Sequence, residues 1–371
     1  MNTPEPQPDA AAIGSSGASR RLWAGLALVV LVIAIAAGYL WMSTESAPVA
    51  SVPKKIAVVG IPQVKEADDG FEEKMIELGY ADAEFIEREV VIGPTFEQNL
   101  QVAIQEFIDG NVDLIFANFE APAKVAQTMT AAQSRTDIPI VFISRLHDPV
   151  TMKLIDSFQS SGNNLTGIAT NLSHLIQRHL QFIKDIDPNA TKLGVFGKGF
   201  QVPSVAGEYF ETVKREAPKF GLTVVEYTTD APPPQAKAEF ERIAAGIEKG
   251  DIDALMHIGG HYYSTQEAGE SELAIRLGIP MATNYEDMPR GGHFTLSNGT
   301  YESGQQAAVV ADKIFKGALP ADIPIEYAQK EILSLHAARA RTAGITFPDT
   351  MRYLADNIYE DDSMFPAFEN H

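Results

Sequence analysis

The chain contains no cysteine. That excludes disulfides, thiolate zinc sites, iron–sulfur clusters and cysteine nucleophiles together, and with them a lipid anchor on an N-terminal cysteine. Positive charge is scarce as well: 29 lysines and arginines stand against 49 aspartates and glutamates, a formal net charge of −20. A surface that acidic repels phosphate backbones, which argues against nucleic acid as a partner. What remains is ordinary globular composition, 45% hydrophobic and 21% charged, which excludes a mostly disordered chain. At roughly 100–200 residues per domain, 371 residues point to two domains.

The first fifty residues hold the membrane signal. Residues 1–21 are rich in Pro, Ala, Ser and Gly and end in Arg20 and Arg21; they read as a flexible cytoplasmic tail. Leu22 to Met42 then runs without a charge and is long enough to cross a hydrocarbon core of about 30 Å. Trp23 and Trp41 near its ends suit the headgroup level, and the one-sided arginines place everything after Met42 outside the cytoplasm. The run is either an uncleaved transmembrane anchor or the core of a cleaved leader; its length and the lack of a clean A-x-A site favour the anchor. Residues 43–53 form a linker to an extracytoplasmic, periplasmic body.

Beyond the linker the pattern alternates. Lys55-Ile56-Ala57-Val58-Val59-Gly60, Asp113 to Ala117 and Ile138 to Ile143 are short apolar runs of the kind that form buried parallel strands. Phe71 to Leu78 and Ala121 to Gln133 between them have helical spacing, and Gly79 closes the first. The same order recurs: Lys192-Leu193-Gly194-Val195-Phe196-Gly197 echoes Lys55 to Gly60, at an offset of 137 residues. Asp253 echoes Asp113 at an offset of 140, and Pro280 echoes Pro139 at 141. Near-constant offsets predict two α/β lobes of one topology, each a doubly wound parallel sheet. Two such sheets facing each other make a cleft that closes on a small molecule by hinge motion.

Several segments carry a resemblance. They are Gly70-Phe71 through Leu78-Gly79-Tyr80, Val112 to Ile115, Ile138 to Phe142, Asp148-Pro149-Val150 and Gly162-Asn163-Asn164-Leu165-Thr166-Gly167. Tyr301-Glu302-Ser303-Gly304, then Ala307 and Ala311, Lys316-Gly317, Ile323-Pro324-Ile325 and Ala343 to Pro348 follow in the same order. The ordered set resembles the ABC-transporter substrate-binding family with the type I periplasmic binding fold, a group that includes binders of aromatic amino acids. The resemblance implies solute capture, an inner-membrane ABC permease as partner, no cofactor and no catalysis. A sensory module that reports to a membrane receptor or histidine kinase is the alternative. The resemblance also implies three hinge crossovers, placed near Thr166, Gly291 and Pro320. Lobe 1 is then 54–166 plus 291–320, lobe 2 is 167–290 plus 321–360, and 361–371 is a tail.

The chain departs from that family where a ligand would sit. Glu120-Ala121-Pro122 replaces the usual Gly-Thr-Pro turn, and Gly259-Gly260-His261-Tyr262-Tyr263 stands where an aspartate is common. Candidate ligand-binding residues are Asn118, Phe119, Glu120, Arg145, Asp148, Gly260, His261, Tyr262, Asn284 and Tyr285. Arg145 offers a bidentate clamp for a carboxylate or phosphate; the aromatics offer stacking surfaces. For Glu120 and Arg145 a surface ion pair is the plain alternative, and for Asp148 a helix cap at Pro149. His257 and His261 are four apart but follow a strand, so no one-face metal site is implied, and neither a complete P-loop nor a G-x-S-x-G elbow is present. Catalysis has no support.

Overall fold

The computed structural model describes residues 53–198, 203–229, 231, 233–258, 265–283 and 291–361. The Leu22 to Met42 run lies outside them. Among the described residues no helix is long and apolar enough to cross a membrane.

The first lobe opens with β1 (Lys55–Gly60), α1 (Glu66–Glu77), β2 (Glu84–Glu89), α2 (Phe96–Asp109), β3 (Leu114–Ala117), α3 (Glu120–Ala132), β4 (Ile140–Ser144) and β5 (Leu165–Ala169). Strands β1, β3, β4 and β5 are buried almost throughout, because a parallel strand covered by helices on both faces needs apolar side chains on both. β2, Glu-Phe-Ile-Glu-Arg-Glu, is largely exposed, as befits the sheet edge it occupies. α1 ends as its glycine requires: Gly79 sits at φ +103°, and Tyr80 N–H closes back on Met75 C=O at 3.0 Å.

The second lobe repeats the scheme with α4 (Leu172–Ile186), β6 (Lys192–Lys198), α5 (Pro203–Glu216), β7 (Thr223–Thr229), α6 (Pro233–Ala245), β8 (Ala254–Met256), α7 (Thr265–Leu277), β9 (Met281–Thr283) and β10 (Phe294–Asn298). The strand orders correspond, β2-β1-β3-β4-β5 in one sheet and β7-β6-β8-β9-β10 in the other. The sequence echo has a structural counterpart. Asp113 accepts the Lys55 N–H at 2.8 Å, and Asp253 accepts the Thr191 and Lys192 N–H groups at 2.8 and 3.0 Å. Each aspartate thus fixes the start of its lobe's first strand.

The chain then returns to lobe 1 with α8 (Thr300–Phe315) and β11 (Glu326–Tyr327), and finishes in lobe 2 with β12 (Glu331–His336), α9 (Ala337–Thr342), α10 (Asp349–Leu354) and β13 (Asn357–Tyr359). The crossings between the sheets fall after Ala169, Asn298 and Tyr327, downstream of the expected Thr166, Gly291 and Pro320. β5 and β10 run to the ends of their sheets before the chain leaves, so residues 294–298 belong to lobe 2. Residues 321–327 are held to lobe 1 by Thr166 Oγ1, which donates to Ile323 C=O at 2.9 Å, and by Ile325 N–H, which donates to Phe158 C=O at 2.8 Å.

The second sheet is not wholly parallel, as the sequence had suggested: β12 pairs antiparallel with β10. The chain leaves lobe 2 at Asn298 and re-enters beside it, where Gly299 N–H donates to Lys330 C=O at 2.9 Å. A strand entering where its neighbour exits must run the opposite way.

α8 lies tightly on α1. A Cβ added at Gly304 would stand 2.0 Å from Ala67 O, and one at Gly70 would stand 2.1 Å from Tyr301 O. Only glycine lets the two backbones approach so closely. Behind them Phe71 stacks on Phe116 at 4.0 Å between ring centroids, and Ala307, Ala308 and Ala311 join Ile56, Val58, Val141 and Ile168 in one apolar face of the sheet. α2 and α3 cover the other face.

Candidate functional site

In open parallel sheets ligands sit beyond the carboxyl ends of the strands. In lobe 1, β3 and β4 end at Ala117 and Ser144, which brings segments 118–120 and 145–148 together. Glu120, first residue of α3, organises them. Its side chain is fully buried, and its oxygens accept the N–H groups of Arg145 at 3.1 Å and Leu146 at 2.8 Å; one lies 2.9 Å from His147 Nδ1. The carboxylate is therefore neither a surface ion-pair member nor turned to solvent: it is the anchor of the loop after β4. A negative charge at the first turn also complements the α3 dipole.

The other lobe-1 candidates have partners of their own. Asn118 is completely buried; its Oδ1 accepts Ile61 N–H at 3.2 Å, and its Nδ2 donates to both Asp68 oxygens at 2.9 and 3.0 Å. That side chain ties the loop after β1 to the end of β3. Phe119 is 2% exposed and packs in the core, so it is not a stacking platform in this conformation. Arg145 is half-buried; Nε donates to Asn118 C=O and Nη1 to Thr300 Oγ1, both at 3.3 Å. It thereby joins the β4 loop to the start of α8. Asp148 Oδ1 accepts the N–H groups of Val150 and Thr151 at 2.9 and 2.8 Å, capping a turn where the sequence suggested a helix.

Gly260, His261, Tyr262, Asn284 and Tyr285, the lobe-2 candidates, lie outside the described residues. Among the described residues of lobe 2, His257 and Glu270 form a buried pair: His257, just past the end of β8, places Nδ1 2.8 Å from Glu270 on α7. Among the described residues no group of side chains has the arrangement of a metal site.

Three residues of this region escaped the sequence reading: Asp68, His147 and Glu208. Glu208 on α5 accepts the backbone N–H of Asp148 at 2.7 Å, so the loop after β4 of one lobe meets the helix after β6 of the other. The loop at the carboxyl end of β4 thus lies against a lobe-2 helix. Burial would depress His147, but the hydrogen bond and charge of Glu120, with the charge of Glu208, outweigh it and hold the imidazole above its ordinary value. Burial raises Glu208, against the N–H it accepts and the charge of His147.

Burial pushes Asp68 up to about 7, against the Asn118 hydrogen bonds and the Lys65 charge. A carboxyl raised from 3.8 favours the folded state when protonated, so its contribution is complete below pH 3.8 and lost as pH rises through 7. Asp68→Asn keeps the acceptor without the charge. We expect the variant to gain on the parent as pH rises from about 4 to 8, by up to about 1.4 kcal/mol per unit. Urea unfolding at both ends of that range measures it; a pH-independent difference would remove the buried charge from the account.

A family model described as ABC transporter substrate binding protein matches residues 55–359. The chain is 26% identical over 265 residues to the tyrosine-binding protein of Clostridioides difficile (strain R20291), which covers 71% of this chain and 72% of that one. Among solved structures it is similar to an ABC domain from Streptococcus pneumonia in complex with L-Trp, with a TM-score of 0.68 and 18% identity over 83% of this chain and all of that one. It is also similar to a conserved domain protein from Vibrio cholerae O1, with a TM-score of 0.67 and 23% identity over 83% of this chain and all of that one. At these identities the two structures establish the fold alone: two α/β lobes of the type I periplasmic binding kind.

Proposed function

The chain belongs to the ABC transporter substrate-binding protein family, a family of solute binders and not of enzymes, and from that premise we propose that it captures a small organic solute between its lobes and delivers it to an ABC permease. The observation that carries the reading is the fold itself. Two sheets of matching strand order are joined by three crossings, and the loop after β4 of one lobe meets the helix after β6 of the other at Asp148 and Glu208. A solute held there touches both lobes only when they are together, so it shifts the balance toward the closed form. Segments 118–120 and 145–148, fixed by Glu120, form the lobe-1 wall, and Gly260, His261, Tyr262, Asn284 and Tyr285 are the residues proposed to contact the solute from lobe 2. The relatives named for tyrosine and bound to L-Trp make aromatic amino acids the first solutes to offer. Export places the lobes on the outer side of the membrane, with Leu22 to Met42 as the tether.

A thermal-shift screen of amino acids, carboxylates, purines and short peptides tests this. The cognate solute at a hundred times its Kd is expected to stabilise the fold by about 2.7 kcal/mol. A screen without a single upward shift would count against solute capture.

A further inference from the structure

The two lobes meet at a hydrogen bond that involves no solute. Glu208 lies on α5, which follows β6 in lobe 2, and it accepts the N–H of Asp148, which follows β4 in lobe 1, at 2.7 Å. The lobe-1 partner is a backbone group on a rigid support. Glu120 fixes the N–H groups of Arg145 and Leu146 and the ring of His147, and the Asp148 carboxylate clamps the next turn through Val150 and Thr151. The donor is thus held in place by partners on both sides. The His147 ring, 2.9 Å from Glu120 through Nδ1, belongs to the same junction. A carboxylate aimed at a pre-positioned N–H is among the stronger single hydrogen bonds available to a protein. The crossings lie at the β5 and β11 side of one sheet and the β10 and β12 side of the other, so a contact at this junction acts on the angle between lobes.

We propose that Glu208 is the closure-positioning residue: its carboxylate latches lobe 2 to the Asp148 backbone of lobe 1 and populates the closed arrangement before any solute arrives. The latch deepens the solute-capture reading and rests on it for its purpose. By raising the fraction of closed molecules it raises apparent affinity without touching the solute.

The missing cysteines make the test direct. Gln101 on α2 and Glu241 on α6 are exposed and follow the edge strands β2 and β7, remote from the crossings. Spin labels on Gln101→Cys and Glu241→Cys in the full chain report the interlobe distance by pulsed electron paramagnetic resonance. Without any solute, the parent is expected to show a dominant short distance. Glu208→Ala is expected to shift the short-to-long ratio by about tenfold or more, the scale of one hydrogen bond to a charged group. Glu208→Gln, which keeps an acceptor, is expected to restore part of the short population. The melting temperature, measured alongside, is expected to stay within about 2 °C of the parent, since lost interlobe contact leaves each core intact. Identical distance distributions in parent and both variants would overturn the latch. Because no solute is present, that result is independent of whether any solute in the screen binds.

Discussion

Glu120→Ala is expected to lower the stability of the fold by about 3–5 kcal/mol, the range for removing one partner from a buried charged network. The side chain is fully buried, and three groups are set on it: the N–H of Arg145, the N–H of Leu146 and the His147 ring. Alanine leaves both backbone donors without the acceptor they have, at the end of a central strand where Leu146 is itself 4% exposed. The loss corresponds to a melting-temperature fall of roughly 10 °C at about 2–4 °C per kcal/mol. Glu120→Gln keeps one carbonyl oxygen but turns an amide N–H₂ toward groups that are donors. Its cost is expected to be about 1.5–3 kcal/mol, the scale of a hydrogen bond to a charged group. The order of the two variants is the informative part. An alanine variant melting within 2 °C of the parent would mean that the carboxylate does not hold the loop.

Gly304→Ala is the second large effect. The added carbon would stand 2.0 Å from Ala67 O and 2.9 Å from Phe71 N, where ordinary contact begins at 3.4 Å. Both obstacles are backbone atoms of α1, so no side chain can swing aside, and the helices must separate. Overpacking of this kind costs about 3 kcal/mol at the upper end of its usual range. The consequence reaches further than stability, because α8 is the return segment between the second and third crossings. Gly246→Ala is the matched control: its new carbon would meet only Ile243 O, at 3.5 Å. Denaturant unfolding of the pair separates the two outcomes. Equal midpoints for both variants would mean that α1 and α8 do not need the close approach.

The same glycine shows what the sequence could and could not disclose. Tyr301-Glu302-Ser303-Gly304 stood out as a family-like motif and in the fold is a packing motif, with Ser303 Oγ donating to Gly299 C=O at 2.6 Å and Gly304 seated on α1. Asn164, in another such motif, donates to Ile138 C=O at 2.7 Å. Resemblance therefore led to the architecture more than to the ligand. The repeat was legible because Lys55 and Lys192 begin, and Asp113 and Asp253 immediately precede, buried parallel strands, and continuous apolar runs have few other uses. β2 was missed because an edge strand keeps charges on its surface, so Glu-Phe-Ile-Glu-Arg-Glu carries no strand pattern. β12 was missed because its direction depends on where the chain re-enters lobe 2, which no local pattern encodes.

For the lobe-1 candidates the sequence indicated neighbourhood and not partners. Residues 118–120 and 145–148 do gather at the strand ends, but Glu120 faces inward because backbone donors 25 and 26 residues away demand an acceptor. No spacing rule announces such a pairing. Glu208 gave no sign at all, being an ordinary glutamate on an amphipathic helix until the opposite lobe supplies Asp148. A carboxylate at the first position of a helix shortly after a strand, as Glu120 is, is the one signal that could have suggested an inward anchor.

Calorimetric titration of the full chain with L-tyrosine, L-tryptophan and any molecule selected by thermal shift tests the central claim most directly. The account predicts one solute per chain, binding with a negative heat-capacity change from apolar burial, and recovery of the solute chemically unchanged. No heat of binding with any of them, or a solute consumed during the titration, would contradict it.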